Sequence, residues 1–224
     1  MQFNKVHLLF EQSGTFKKVF REKGIKAYDY DTQDLFGETD KKVDLFLEIQ
    51  REVYDAPSIF SKISDEDLTI AFFPCTYFSD QSQMNSRGDN SMMKEWTLQE
   101  KLQHSMAEMR TRNSYYKYLC QLCLIALQRN FKLVIENPLG KCGFLRQYFP
   151  VKTKVIIKDR RELGDTLQKP TQFFFVNCKP EFHLQMECDL KIKNGKAVEE
   201  LHGFDRSRIS PDFAKNFIEL FILD

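Results

Sequence analysis

Residues 68–79 read LTIAFFPCTYFS, an apolar, β-favouring run that stops abruptly at a proline. Pro74 ends the run, and Cys75 follows it directly before a polar segment. Because proline cannot continue a central strand, the pattern predicts a buried strand with the Cys75 thiol at its carboxyl end. Ligands of open α/β sheets bind at such strand ends. The alternative for a single cysteine is a small buried hydrophobic residue.

A second predicted strand, residues 131–138, is built in the same way and ends in polar residues followed by proline. Glu136 lies at its end, so two neighbouring strand ends are expected to carry a thiol and a carboxylate. The later apolar runs 154–158 and 173–176 predict two further strands that pair as an antiparallel edge. The expected fold class is therefore α/β, with a mainly parallel sheet and an antiparallel edge.

The amino-terminal segment predicts a strand, a turn, a helix and a second strand. The apolar run 5–10 is followed by the polar turn 11–15, and apolar residues then recur at helical spacing in 16–23. Gly24 marks the helix end, and the next predicted strand ends in the carboxylate of Asp31. Such a turn presents backbone N–H groups to a ligand, and the later acid accepts hydrogen bonds from ribose hydroxyls. The pattern favours an adenosine-bearing cofactor, with an ordinary βα turn as the alternative.

Composition indicates an ordinary globular protein. The chain of 224 residues fits a single domain, 1–224, and its hydrophobic fraction of 42% supports a real core. Its 33 basic and 32 acidic residues argue against binding nucleic acid through bulk positive charge. Six irregularly spaced cysteines, without signal-peptide features at the amino terminus, predict reduced thiols and a cytoplasmic location. No apolar run approaches the ~20 residues of a membrane span.

No metal site is expected. Cys120 and Cys123 form a C-x-x-C pair, but they lie inside the predicted helix 115–129. No second pair stands at metal-ligand spacing, so packing in the core is favoured over zinc.

Two segments lie outside the predicted sheet. Residues 80–113 are rich in Gln, Ser, Asn and Met and hold few apolar anchors, which favours a mobile flap inserted in the domain. Residues 177–205 predict a small carboxy-terminal hairpin region, with Asn194-Gly195 as its turn. Ser210 and Pro211 then begin an amphipathic helix.

The order and spacing of these motifs resemble those of DNA cytosine (carbon-5) methyltransferases, and the strand that begins with Lys169-Pro170-Thr171 looks similar to that of small, phage-like members. The resemblance covers residues 5–176, and its specific parts are Pro74-Cys75 and Glu136-Asn137. It implies a Rossmann-like methyltransferase fold, S-adenosyl-L-methionine as the cofactor and DNA as the partner.

The resemblance also implies roles for single residues. Cys75 would add to carbon 6 of cytosine, and Glu136 would stabilise the charge that develops near N3. The residues implied in catalysis are Cys75, Glu136, Asn137, Arg160 and Arg161. The residues implied in cofactor binding are Phe10, Glu11, Gln12, Ser13, Gly14, Thr15, Phe16, Asp31 (on the ribose), Asp55 (near the adenine) and Pro74.

The chain departs from the family pattern in several places. Gln12 stands where the first glycine of the turn is expected, and its side chain would crowd a cofactor there. Thr76 replaces the usual glutamine. Only residues 177–205 are spare for recognising a target sequence. A non-catalytic binding module of the same fold, or a methyltransferase acting on RNA or a free nucleotide, are therefore alternatives to the DNA enzyme.

A local basic patch in residues 141–161 is the predicted contact with nucleic acid, and an ordinary solvated face is the alternative. Its members are Lys141, Arg146, Lys152, Lys154, Lys158, Arg160 and Arg161. Asp159 is the sole acid between positions 141 and 161.

Overall fold

The apolar runs form a seven-stranded mixed sheet in the computed structural model, which describes residues 1–140, 143–182, 196–197 and 208–223. The strands are β1 (Lys5–Leu9), β2 (Lys26–Asp31), β3 (Lys41–Lys42), β4 (Leu68–Phe72), β5 (Lys132–Pro138), β6 (Thr153–Ile157), β7 (Leu167–Gln168), β8 (Thr171–Val176) and β9 (Lys196–Ala197). The α-helices are α1 (Thr15–Glu22), α2 (Leu45–Val53), α3 (Asp80–Ser86), α4 (Leu98–Arg129), α5 (Phe144–Tyr148) and α6 (Pro211–Phe221). The order in the seven-stranded sheet is β3-β2-β1-β4-β5-β8-β6, and β7 and β9 pair with each other apart from it.

The sheet is parallel from β3 to β5, and β8 is antiparallel to both of its neighbours, β5 and β6. The antiparallel pairing of the two late strands is thus confirmed, but the reversed strand lies one position inside the edge. All six residues of β8 are buried, whereas only alternate residues of β6 are buried at its end. A strand buried on both faces belongs inside a sheet, and a half-exposed one suits its edge.

Helices cover both faces of the sheet, as its two-sided hydrophobic strands require. One core cluster joins α1 and α6 to the sheet, and Val134 of β5 lies in it. The other joins α2 and α4 to the opposite face, where Leu133 and Ile135 of the same strand lie. The predicted strand, turn, helix and strand at the amino terminus are confirmed by β1, α1 and β2.

Helix α4 begins well before the predicted start of 115. Thr97 caps it at Leu98, and a capping box with Glu100 fixes this start. Residues 98–113 of the expected flap therefore belong to a continuous 32-residue helix, and the mobility of 80–113 stays a prediction. Cys120 and Cys123 lie in the same helix, as predicted.

Most of the predicted hairpin at 177–205, including its Asn194-Gly195 turn, lies outside the described residues. Within it, β9 pairs in parallel with β7. Helix α6 starts as predicted, with Pro211 in its first turn and the Ser210 side chain accepting from the Phe213 amide. Among the residues described, no helix combines the length and the hydrophobicity needed to cross a membrane.

Candidate active site

The carboxyl ends of the parallel strands meet along one rim of the sheet, and this rim gathers most of the predicted site residues. The turn after β1, the end of β2 and the loops after β4 and β5 all lie there. Strand β8 runs in the opposite direction, so its amino end reaches the same rim. Polar groups from separate parts of the chain are thereby brought to one edge.

Strands β4 and β5 bring the thiol and the carboxylate to neighbouring strand ends. Phe72 of β4 is in register with Glu136 of β5, and Cys75 follows three residues after Phe72. The side-chain amide of Asn137 donates to the carbonyl oxygen of Phe73 over 3.1 Å. Asn137 therefore ties the two strand ends together, which gives this predicted site residue a positioning role.

The Glu136 carboxylate is buried and held by its neighbour in β8. Its side chain is 8% exposed, and its Oε1 accepts a hydrogen bond from the hydroxyl of Thr171. A second contact joins the same strands, because the Leu139 amide donates to the carbonyl of Pro170 over 3.0 Å. The carboxylate is therefore fixed in place by the antiparallel strand.

Opposing effects act on the Cys75 thiol. The pKa of Cys75 is raised overall, chiefly by burial; the ammonium of Lys169 opposes this shift, and the carboxylate of Glu136 adds to it. Both charged groups thus lie within electrostatic reach of the sulfur. The Lys169 cation is the part of this site that favours the nucleophilic thiolate.

The roles of Lys169 and Thr171 at the site were missed in the sequence. The available signal was the tripeptide Lys169-Pro170-Thr171 between two runs that were expected to pair as antiparallel strands. Reversal of a strand next to β5 carries the residues before it to the carboxyl rim. The tertiary structure is needed to see that Thr171 bonds to Glu136 there and that Lys169 acts on Cys75.

The turn after β1 has a backbone suited to close approach by a ligand. Phe10 and Gly14 both adopt left-handed conformations, with φ of 60° and 67°. Added to Gly14, a Cβ atom would lie 3.0 Å from Cβ of Glu38, so a side chain there would be both strained by the backbone and crowded by Glu38. The ring of Phe10 packs against Phe46 and Phe73 at 5.4 and 5.3 Å between centroids.

Glu11 occupies the centre of this turn. Its Oε1 accepts hydrogen bonds from the Thr15 amide, over 2.9 Å, and from the Ser13 hydroxyl. The side chain is 5% exposed, and burial raises its pKa to about 7. Glu11 therefore caps α1 from within the turn that was predicted to bind the cofactor.

Phe16 and Asp31 have different positions in the site. Phe16 is fully buried and packs against Phe72 at 4.8 Å between centroids, so its ring supports the turn from the core, and its part in cofactor binding stays a prediction. Asp31 ends β2 at the rim, where its Oδ1 accepts from the Gln33 amide over 2.8 Å. Burial raises the pKa of Asp31.

The assignment of Asp55 to the adenine site is wrong. Helix α2 carries the chain from the end of β3 back toward the start of β4, so Asp55 lies at the opposite, amino-end rim. It lines a cleft of about 300 Å³ together with Arg129, the last residue of α4 before β5 begins. The acid that does lie at the end of β3 is Asp44, whose side chain caps α2 by accepting from Phe46 and Leu47. In the sequence, Asp44 could have been recognised as an Asp directly before a helical run, the usual position of a helix cap.

The assignment of Arg160 to catalysis is also wrong. Its side chain is 1% exposed, and its guanidinium pairs with Asp165 and donates to the carbonyl of Arg208 over 3.0 Å. It also stacks over Phe213 at 4.9 Å from the ring centroid. Arg160 is a core residue that anchors the start of α6. Arg161 is held by Asp159, through contacts of 2.6–3.0 Å.

The basic patch keeps only part of its predicted membership. Lys152, Lys154 and Lys158 are exposed along the edge strand β6, and Arg146 is exposed on α5. Arg160 is buried, and Lys141 lies outside the described residues. Lysines also protect an edge strand from pairing with another chain, so their presence has a structural reason as well.

The arrangement supports chemistry that uses a thiol nucleophile beside a carboxylate, with an ammonium near the sulfur. Comparison with known proteins adds no assignment: no protein-family model and no curated protein sequence matches this chain.

Proposed function

We propose that the protein transfers a methyl group from S-adenosyl-L-methionine to carbon 5 of cytosine through a covalent adduct at Cys75. The observation that carries the proposal is the meeting of Cys75 and Glu136 at adjacent strand ends. The resemblance of the ordered motifs to DNA cytosine methyltransferases supplies the reaction. A Rossmann-like methyltransferase fold is part of the same proposal, which the parallel order of β1, β2, β4 and β5 supports.

Each side chain has a defined task in this reaction. The Cys75 thiolate adds to carbon 6 of the base, which turns carbon 5 into a nucleophile. Glu136 faces N3 and the exocyclic amine and stabilises the charge that develops there. After methyl transfer, a base removes the carbon-5 proton and the thiolate leaves. Lys169 favours the thiolate, and Thr171 holds Glu136 in position.

The residues of the first turn fit the cofactor that the resemblance implies. Two buried acceptors, Glu11 Oε2 and Gln12 Oε1, have no hydrogen-bond partner among the described residues. A ligand that carries donors or positive charge would satisfy them, and S-adenosylmethionine carries both. When bound, it supplies the electrophilic methyl group. Asp31 stands at the neighbouring strand end, where a ribose would lie.

DNA is the substrate we propose, with RNA or a free nucleotide as alternatives. In a duplex the base must first leave the stack, at a cost of a few kcal/mol. The exposed lysines of β6 offer contacts to phosphates.

An adduct-trapping experiment tests this proposal. The protein is incubated with S-adenosylmethionine and 5-fluorocytosine in a DNA duplex, a single strand, an RNA and a nucleotide, in parallel. Fluorine blocks loss of the carbon-5 substituent, so a covalent complex should accumulate on the preferred substrate. Cys75→Ser should abolish it, and Cys120→Ser, which alters another half-buried thiol, should not. Methyl transfer that persists in Cys75→Ala would rule out the thiol mechanism.

A non-catalytic binding module of the same fold is the second candidate, because the first turn departs from the pattern of the family that the chain resembles. Glu11 already accepts from the Thr15 amide at the start of α1, and Gln12 replaces a glycine. Calorimetry with S-adenosylmethionine and its demethylated product distinguishes the methyltransferase from the binding module. Absence of binding at millimolar ligand would discard both the DNA enzyme and the RNA or nucleotide enzyme.

A further inference from the structure

The first half of helix α4 turns its apolar side to solvent. Within the described residues, the core clusters include α4 only from Tyr115 onward. Before that point the side toward α3 is polar, and the ring Nε2 of His104 donates to the carbonyl oxygen of Asn85 over 3.1 Å. The opposite side carries four exposed apolar residues: Leu98 is 73% exposed, Leu102 57%, Met106 59% and Met109 40%.

These four residues form one stripe along the helix. Successive members are four, four and three positions apart, so each lies about one turn beyond the last on the same face. A helix in a folded protein is stabilised mainly by packing its apolar face. Here the polar face packs and the apolar face is open, which indicates that another surface covers the stripe.

The charges beside the stripe match those of a second, antiparallel copy. In a heptad with Leu98 at position d, Leu102 and Met109 both take position a, and Lys101 and Glu108 both take position g. When two such helices lie antiparallel, the g residues of one face the g residues of the other. With Leu98 opposite Met109 of the second copy, each lysine meets a glutamate, so the opposite charges pair twice.

Other arrangements lack this match. Within one chain, Lys101 and Glu108 are separated by about 10 Å along the helix axis, so they do not pair with each other. In a parallel pair, position g faces position e of the partner. Lys101 would then face Met106, and Glu108 would face Asn113. The antiparallel pair therefore agrees best with the pattern of charges.

The ends of the stripe agree with the same arrangement. Glu95 precedes the helix and Arg110 follows the last apolar residue of the stripe, and both are exposed. Antiparallel pairing brings the acidic end of one stripe to the basic end of the other. Because the half of α4 that packs on the sheet begins at Tyr115, the two sheets would lie at opposite ends of the contact.

We propose that residues 98–109 are a docking surface for the same residues of a second copy of this chain, in antiparallel orientation. A twofold pair of identical surfaces is the commonest form of protein assembly. The stripe is about 18 Å long, which is small for a specific interface, so a reversible dimer with a micromolar Kd is expected. The pairing does not depend on the proposed methyl transfer.

Sedimentation of the full chain from about 1 to about 200 μM tests the pairing. The wild type should pass from monomer to dimer. Leu102→Glu should weaken the dimer by at least about tenfold, because it places a charge in the stripe. Leu127→Glu is the control, since Leu127 lies in the same helix outside the stripe and is 54% exposed. It should dimerise like the wild type, and circular dichroism confirms that each variant is folded.

Charge reversal tests the antiparallel orientation. Lys101→Glu and Glu108→Lys should each dimerise weakly alone, because each places like charges opposite one another. An equal mixture of the two should recover the dimer, since every facing pair then has opposite charges. A wild type that stays monomeric at about 200 μM would overturn the proposal. It would also be overturned by a dimer that Leu102→Glu leaves intact, or by a mixture that associates no better than its components.

Discussion

The hydroxyl of Thr171 donates a hydrogen bond to the carboxylate of Glu136, across two strands that run in opposite directions. The two residues are 35 positions apart in the chain. Through this bond, β8 fixes the orientation of the acid that acts electrostatically on Cys75. The antiparallel strand is therefore a part of the site as well as of the sheet.

Replacing Thr171 with valine should disturb both the stability and the site. The variant keeps the shape of the side chain and removes the donor, which leaves a buried carboxylate oxygen without its bond. The free energy of unfolding should fall by about 1–3 kcal/mol, as measured by denaturant titration. Trapping of 5-fluorocytosine should slow by at least about tenfold. Thr171→Ser should retain most of both properties, and equal trapping by the valine variant would contradict the positioning role.

Lys169 and Glu136 should shift the pKa of the Cys75 thiol in opposite directions. Lys169→Met removes the cation that lowers this pKa, so alkylation of Cys75 should require a higher pH. Glu136→Gln removes the carboxylate that raises it, and the alkylation profile should move to lower pH. Rates are measured with iodoacetamide and resolved by peptide mass spectrometry, because other thiols are present. Lys169→Arg should resemble the wild type, and profiles that coincide for all variants would exclude electrostatic contact.

Glu11→Gln should stabilise the ligand-free protein at alkaline pH. Burial raises the folded-state pKa of Glu11 to about 7 from an ordinary 4.5, so the folded state binds the proton more tightly than the unfolded chain. The stability that Glu11 contributes is complete below pH 4.5 and is lost as the pH rises to 7. The loss amounts to about 3 kcal/mol. In urea titrations at pH 4.5 and pH 8, the free energy of unfolding of Glu11→Gln should exceed that of the wild type only at pH 8. Glu22→Gln, a change at an exposed position in the last turn of α1, should show no such increase.

Arg160 should matter for stability and not for the thiol. Arg160→Met leaves Asp165 as a buried, unpaired charge, because both side chains are 1% exposed. The free energy of unfolding should fall by about 3–5 kcal/mol, and the double change with Asp165→Asn should recover part of that loss. The alkylation profile of Cys75 should stay unchanged in folded protein. A clear shift of that profile would return Arg160 to the active site.

Gly14 and Gly24 allow the crowding of the first turn to be measured. Both have positive φ, so alanine should cost about 1–2 kcal/mol at each from backbone strain. At Gly24 nothing lies within 4 Å of an added Cβ, whereas at Gly14 the side chain of Glu38 lies 3.0 Å away. Gly14→Ala should therefore destabilise the protein more than Gly24→Ala, as thermal unfolding would show. Equal losses would mean that Glu38 moves aside freely.

Local patterns in the sequence were sufficient for the strands and for two members of the site. Proline cannot continue a central strand, and hydrophobic runs reveal buried strands without knowledge of their neighbours. Cys75 and Glu136 could therefore be placed at strand ends, and the parallel arrangement put those ends at one rim. The start of α4 at Leu98 was missed because its first half is polar and exposed, although the Thr97–Glu100 capping box was readable.

Contacts between distant segments decided the rest. Asp55 was misplaced because the direction of α2 sets which rim it reaches, and a motif spacing does not contain that direction. Arg160 has the residue type expected of an active-site arginine, but its guanidinium pairs with the buried Asp165, five positions later. The amino-acid sequence by itself determined which strands form and which polar groups end them. Only the tertiary structure showed that Lys169 and Thr171 join Cys75 and Glu136, because this depends on β8 lying next to β5, and the predicted antiparallel pairing of β8 with β6 does not specify that second neighbour.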